Sequence, residues 1–270
     1  MVNLGPDLIW HRGDLLLAED RRRVTEEASA SHLLHLAWHL EHGRYWTAPE
    51  NEEWVAASLD LLRLFAQGQG RRAVLAGTCA EYDWNRSDTN LWRESDPCRP
   101  ATPYGRAKVE LARKAAELAR SMDVSLAWTR AFFIFGVGED ARRLVPSIIH
   151  GLLRNEKVAL SSGRQVRDFM DTRDVGDALA ALVDTDATMG PINVASGQGV
   201  SIRDIACLLA GLTGRDQTLL DFGALPDREG EPGFIVADTS QLKRACLLAS
   251  TPPLSDRLFQ CVNWHRARET

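Results

Sequence analysis

Ala73-Val74-Leu75-Ala76-Gly77, running into Thr78-Cys79-Ala80-Glu81-Tyr82, is the stretch on which the reading of this 270-residue chain turns. Five small or apolar residues in a row, with no polar alternation, suit a strand buried on both faces, as a parallel sheet requires. Two further runs share that character: His32-Leu33-Leu34-His35-Leu36-Ala37-Trp38 upstream and Val124-Ser125-Leu126-Ala127-Trp128-Thr129-Arg130 downstream. The segments between them read as helices. Glu52 to Gln67 carries Trp54, Val55, Leu59, Leu61, Leu62 and Phe65 at helical spacing, and Tyr104 to Met122 is rich in Ala, Leu, Lys, Arg and Glu. Strands alternating with helices predict right-handed βαβ units and an α/β fold with a parallel sheet. From Gly136 onward the pattern loosens. Helices are expected over Leu144 to Leu153, Val175 to Val183 and Ile202 to Leu212, a strand at Pro191-Ile192-Asn193-Val194 and a loop from Pro226 to Pro232, which together predict a smaller second lobe.

Composition narrows the function classes. With 44% hydrophobic and 26% charged residues the chain falls among ordinary globular proteins, which excludes disordered and low-complexity classes. The net charge of −5 is spread along the sequence, so no basic stripe points to nucleic acid or to an anionic membrane surface. Five cysteines, an odd number without C-x-x-C, fit reduced thiols. Neither a signal-peptide core between Met1 and Asp14 nor an apolar run of roughly 18 residues occurs, and a cytoplasmic protein is expected. His32, His35, His39 and His42 recur at helical spacing, but a strand sends His32 and His35 to opposite faces, so no metal site is expected. Tyr45, Trp46 and Trp54 could line a pocket, but aromatics at such spacing are read as core or interface residues.

Thr102-Pro103-Tyr104-Gly105-Arg106-Ala107-Lys108 carries the chemistry. Thr102 suits an N-cap and Pro103 the first helical position, so Tyr104 opens a helix and Lys108 follows one turn later on the same face. A nearby ammonium and the positive helix N-terminus both favour phenolate, the form that abstracts a proton from an alcohol. Tyr104 is thus a candidate general acid/base, although a chance Tyr-x-x-x-Lys has a probability of roughly 4% in such a chain. Thr78, at the end of the central strand where open α/β sheets place ligands, adds a hydroxyl. A hydroxyl donor on one strand end and a Tyr/Lys pair on the next helix are what moving a hydride and a proton at a carbinol centre needs.

In these residues the chain resembles the extended short-chain dehydrogenase/reductases, the NAD-dependent epimerase/dehydratase family acting on nucleotide sugars. The resemblance also rests on Gly13-Asp14-Leu15, His35-Leu36-Ala37-Trp38, Arg130-Ala131-Phe132-Phe133-Ile134-Phe135-Gly136, Val166-Arg167-Asp168-Phe169, Asn193-Val194-Ala195-Ser196-Gly197 and Arg228-Glu229-Gly230-Glu231-Pro232. It implies a Rossmann-like parallel sheet with a small C-terminal α/β substrate lobe. The cofactor domain would span 1–135 with 165–195 returning to it, and the substrate lobe 136–164 and 196–270. It further implies that Tyr104 is the acid/base, that Lys108 tunes it and binds the nicotinamide ribose, and that Thr78 holds the reacting sugar oxygen. Asp14 and Leu15 would face the adenine, Ala37 would lie along the cofactor, and Arg167 and Arg228 would clamp the substrate diphosphate. NAD or NADP is the implied cofactor, a nucleotide sugar the substrate, and a homodimer the assembly, its seam including Leu59, Leu62 and Phe65 unless these are buried within the monomer.

Two departures accompany the resemblance. Family members open with a strand, a Gly-rich turn, a helix and a second strand that hold the cofactor pyrophosphate. Here Gly13-Asp14-Leu15 follows Met1 to Trp10 directly and no G-x-x-G-x-x-G occurs, so an N-terminally shortened sheet is expected. The similar run Gly136-Val137-Gly138-Glu139-Asp140-Ala141 puts carboxylates where pyrophosphate must lie and is read as a substrate-side loop. Phe133 stands where many members carry a substrate-touching Asn. Three functions stay open at this point: nicotinamide-dependent epimerisation, dehydration or ketoreduction, a non-catalytic binding or partner protein, and proton transfer without nicotinamide.

Overall fold

The computed structural model describes residues 8–227, 230–246 and 252–269. The first half runs α1 (Ala18–Ala28), β1 (His32–His35), α2 (Glu50–Gln67), β2 (Arg72–Thr78), a 3-10 turn (Cys79–Glu81), α3 (Pro103–Ser121), β3 (Ser125–Ala131) and β4 (Phe133–Phe135). It continues through α4 (Leu144–Leu153), β5 (Val158–Leu160), β6 (Val166–Asp171), α5 (Thr172–Val183), β7 (Gly190–Val194), β8 (Gly199–Ser201) and α6 (Ile202–Thr213). The chain closes with a 3-10 turn (Gln217–Leu219), β9 (Leu220–Phe222), β10 (Phe234–Ile235), α7 (Ser240–Cys246) and α8 (Leu254–Glu269).

The main sheet has the order β1-β2-β3-β7, all parallel. Because strand side chains alternate, Ala73, Leu75, Leu126 and Trp128 face α2 and α3, whereas Val74, Ala127 and Ile192 face α5 and α7. This sandwich explains the unbroken apolar runs. Leu62 of α2, wholly buried against the sheet, contributes on the order of 2 kcal/mol by its burial. Leu62 and Phe65 are therefore core residues of this chain rather than a free seam, and only Leu59 stays half-buried.

The strand expected over His32 to Trp38 is shorter, ending at His35. Beyond Leu75, its last partner on β2, the next carbonyl along β2 is that of Ala76, and it accepts the Lys108 ammonium at 2.8 Å instead of extending the ladder. At the opposite end of β2, Arg72 is wholly buried. It donates to Leu182 O at 3.0 and 2.6 Å, Thr188 O at 2.8 Å and Ser125 Oγ at 2.9 Å. A C-terminal carbonyl that α5 cannot satisfy itself, that of Leu182, is thereby paired.

A second sheet, β10-β6-β4 with β8 antiparallel to β6, and the β5-β9 pair lie beside the first. Their core of Phe135, Ile148, Ile149, Leu209 and Leu258 is closed by α4, α6 and α8. Buried Asp168 of β6 joins this sheet to the main one, accepting from Ser196 N at 2.8 Å, Ser196 Oγ at 2.6 Å, Gly197 N at 2.9 Å and Ala237 N at 3.2 Å. Arg257 and Gln260 of α8 bind Asp174 and Arg173 of α5. Among the described residues no helix is long and apolar enough to cross a membrane.

Candidate active site

Helix α3 begins as its sequence dictates: Thr102 Oγ accepts Gly105 N at 3.1 Å, and Pro103 occupies the first helical position. Gly105 lets this end close on the turn after β2, since a Cβ there would meet Ala80 O at 2.5 Å. Tyr104 and Lys108 are thereby brought to the carboxyl end of β2, beside Thr78. The Thr78 hydroxyl accepts Ala80 N at 3.2 Å and lies close enough to the Tyr104 phenol to favour its ionisation. Lys108 Nζ stands 5.9 Å from the Tyr104 ring centroid. The sequence-predicted trio is together.

Its surroundings differ from the expectation of a phenolate. Tyr104 is 7% exposed and ringed edge-on by Trp38, Tyr45 and Trp46, with centroids at 6.4, 5.1 and 5.7 Å. Burial pushes its phenol well above the ordinary tyrosine value, against the pull of Thr78. Burial likewise brings the Lys108 ammonium down to about 7, with the Glu81 carboxylate opposing. His35 on β1, bonded through Nε2 to Ser58 Oγ at 2.8 Å, falls to about 4 through burial and then through the Lys108 charge. Desolvation thus outweighs the neighbouring charges that sequence reasoning weighed.

Beneath Thr78 lies a buried acid. Glu81 accepts Thr78 N at 2.8 Å, Trp128 Nε1 at 3.0 Å and Arg130 Nε at 2.8 Å. Burial raises its carboxyl above the ordinary range, against the Arg130 guanidinium and the N–H donors, which favour the carboxylate. Gly77 is required here, because a Cβ would collide with both Glu81 Oε1 and Trp128 Nε1. Arg130 also donates to Glu94 O at 3.0 Å and Cys98 Sγ at 3.0 Å, so the loop over residues 82–102 is tied to the same centre.

The remaining expected residues are spread further. Ala37 adjoins Trp38 in the loop after β1 and is partly buried. Asp14 and Leu15 precede α1, and their hydrogen bonds are local: Asp14 N to Asp20 at 2.8 Å, and Leu15 O from Arg21 at 2.7 Å. Arg167 is 2% exposed, lies 5.4 Å from the Phe133 ring centroid and pairs with Glu231 at 2.8 Å; its charge opposes the effect of burial on the Cys79 thiol, next to Thr78. Arg228 lies outside the described residues. Among the described residues no three His, Cys, Asp or Glu side chains converge on a metal-sized site.

Sequence reasoning missed Trp38, Tyr45, Trp46 and Glu81. Tyr45 and Trp46 pack against the core, as their aromatic character implies, and in addition Trp46 O accepts Tyr104 N at 3.1 Å. An aromatic doublet in an otherwise polar segment, Glu41-His42-Gly43-Arg44 before it and Thr47 after, was the available signal.

A profile described as the NAD dependent epimerase/dehydratase family matches residues 2–195. A dTDP-glucose 4,6-dehydratase of Streptomyces griseus is 26% identical over 266 residues, 96% of this chain and 78% of that protein. The dTDP-6-deoxy-L-talose 4-dehydrogenase (NAD(+)) of Aggregatibacter actinomycetemcomitans is 28% identical over 74% of this chain and 72% of its own length. Among solved structures, MoeE5 in complex with UDP-glucose and NAD superposes with a TM-score of 0.80 at 26% identity, covering 96% of this chain and 86% of its own. A UDP-glucose 4-epimerase of Thermotoga maritima, 20% identical with a TM-score of 0.88 over 99% of this chain and 87% of its own, shares the fold.

Proposed function

This chain belongs to the NAD-dependent epimerase/dehydratase family, and from that premise we propose that it catalyses NAD(P)-dependent epimerisation, dehydration or ketoreduction of a nucleotide-activated sugar. The observation that carries the reading is the convergence of Tyr104, Lys108 and Thr78 at the carboxyl end of β2. The donor set suits the nicotinamide end of the cofactor: the Lys108 ammonium and the Tyr104 phenol would hold the ribose, Ala37 would lie alongside, and Asp14 and Leu15 would serve the adenine. When bound, the nicotinamide supplies the hydride acceptor. Tyr104 takes the sugar hydroxyl proton in its phenolate form, which the Lys108 charge favours against the burial that otherwise keeps the phenol protonated, and Thr78 orients the reacting oxygen. Arg167 and Arg228 serve the substrate diphosphate.

The division of labour follows the notional cut given by the sequence, with 1–135 and 165–195 for the cofactor and 136–164 and 196–270 for the substrate. A homodimer through the outer faces of α2 and α3 is supported by a shallow hollow there in which Leu59 and Leu118 lie among Asp60, Arg63, Lys114 and Glu117, an apolar strip with both charge signs beside it. The unbridged cysteines Cys79, Cys98, Cys207 and Cys261 support a cytoplasmic setting.

Calorimetric titration with NADH and NADPH, with and without a nucleoside diphosphate, tests the reading. Micromolar binding, followed by conversion of a dTDP-, UDP- or CDP-hexose in product analysis, is expected. A folded protein that binds neither cofactor rules it out.

A further inference from the structure

Lys108 is 4% exposed, yet the only hydrogen bond its ammonium makes among the described residues is the one to Ala76 O at 2.8 Å, and no carboxylate lies within ion-pair distance of it there. A buried ammonium with one acceptor is costly. What faces it instead is the indole of Trp38, whose ring centroid is 3.6 Å from Nζ. The ring is held edge and face. Trp38 Nε1 donates to Asn51 Oδ1 at 2.8 Å, and Asn51 Nδ2 donates to Tyr45 O at 2.8 Å and Ala48 O at 2.9 Å, while Trp54 packs with its centroid 6.0 Å away.

We infer that Trp38 is a positioning residue for Lys108: its indole face, locked by Asn51, fixes the ammonium beside Tyr104 and stabilises its charge in place of a second hydrogen-bond acceptor. A cation over an aromatic face gains most where water is excluded, as at this 9% exposed tryptophan. The other groups around Lys108 are accounted for. From β2 comes the Ala76 carbonyl, from the turn after it the Glu81 carboxylate, which favours the charged lysine, and from α3 the Tyr104 ring; from β1 comes His35, which stays neutral at ordinary pH. The Trp38 ring lies closer to the ammonium than the Tyr104 ring does, at 3.6 Å against 5.9 Å. The inference rests on the proposed function only in calling the Tyr104/Lys108 pair catalytic.

The chain has four lysines, Lys108, Lys114, Lys157 and Lys243, so the ε-CH2 groups of protein labelled with 13C-lysine can be followed individually by NMR, with Lys108→Arg giving the assignment. The Lys108 signal is expected upfield in the ring current of Trp38, titrating near the value of about 7 that burial gives it. In Trp38→Leu the upfield displacement disappears and the midpoint falls by roughly one pH unit. Trp38→Phe, which keeps a smaller aromatic face, falls less. An unchanged midpoint in Trp38→Leu, or a fall in Trp38→Phe as large as in Trp38→Leu, overturns the inference. Should Trp38→Leu not fold, Trp38→Met keeps the bulk without the ring and is judged by the same two criteria. In turnover, the pH limb of kcat is expected to move with the midpoint while KM holds. Absence of turnover with every nucleotide sugar would defeat the proposed reaction, yet the lysine midpoints would still decide the role of Trp38.

Discussion

The two ends of β2 each bury a cation, and they treat it differently. At the amino end Arg72 makes four hydrogen bonds to Leu182, Thr188 and Ser125. At the carboxyl end Lys108 makes one among the described residues, to Ala76, and leans on the Trp38 face. Burial lowers both from their ordinary values. An arginine so thoroughly paired cannot usefully change state and serves as a clamp between sheet and α5. The lysine, brought to about 7 and placed beside a phenol, is poised to exchange charge with its surroundings. Full pairing marks structure at one end, and the chemistry proposed for the other goes with a cation left underpaired.

Substitutions can break or sharpen this contrast, and the largest effect is expected at the carboxyl end. Tyr104→Phe should lower kcat by roughly 10²–10⁴-fold while the thermal midpoint holds. Full turnover in that variant would remove the chemistry from this end altogether. At the amino end Arg72→Met strands the Leu182 and Thr188 carbonyls in the interior, and urea denaturation should show a loss of about 4 kcal/mol, with kcat retained by the molecules that remain folded. A loss no larger than that of a surface substitution would mean the clamp is dispensable.

Two smaller effects concern pH. His35 has its folded-state value depressed to about 4, below the unfolded value near 6.5. Unfolded chains therefore bind the extra proton first, so stability is full above about 6.5 and declines as pH falls toward 4, by on the order of 3 kcal/mol. His35→Gln should flatten that part of a stability-against-pH curve. Lys108 behaves in the same sense over a higher window. Its folded-state value of about 7 lies below the unfolded value near 10.4, so the cost of burying its charge is complete below about 7 and is relieved as pH rises toward 10.4. Lys108→Met should abolish this rise and leave stability at pH 7 unchanged or raise it by up to about 4 kcal/mol, because a poorly compensated buried charge is replaced by an apolar chain of similar length. A large destabilisation by Lys108→Met would make Lys108 a second clamp and end the contrast with Arg72.

How much of this was legible beforehand varies with distance along the chain. The helix carrying Tyr104 and Lys108 could be read from Thr102 and Pro103 because capping and the 3.6-residue repeat are local, and the observed N-cap bond to Gly105 agrees. Strand β2 could be read from its unbroken apolar run. Strand β1 was read three residues too long, since its end depends on which group takes the Ala76 carbonyl, and that group comes from α3. Tyr45 and Trp46 do pack against the core as read, but nothing in Tyr45-Trp46 states that Tyr104 is the residue they will enclose.

By itself, then, the sequence determined the α/β alternation, the burial of the central strands on both faces, and the placing of a tyrosine and a lysine one helical turn apart near a strand end, all properties with a short repeat. Only the tertiary structure decided the state of that pair. Protonation depends on how much water is removed and which charges approach, and here burial under Trp38, Tyr45 and Trp46 raises the phenol and lowers the ammonium, opposite to what the two groups alone would suggest. Those contacts join residues far apart in the chain, so no window of sequence contains them.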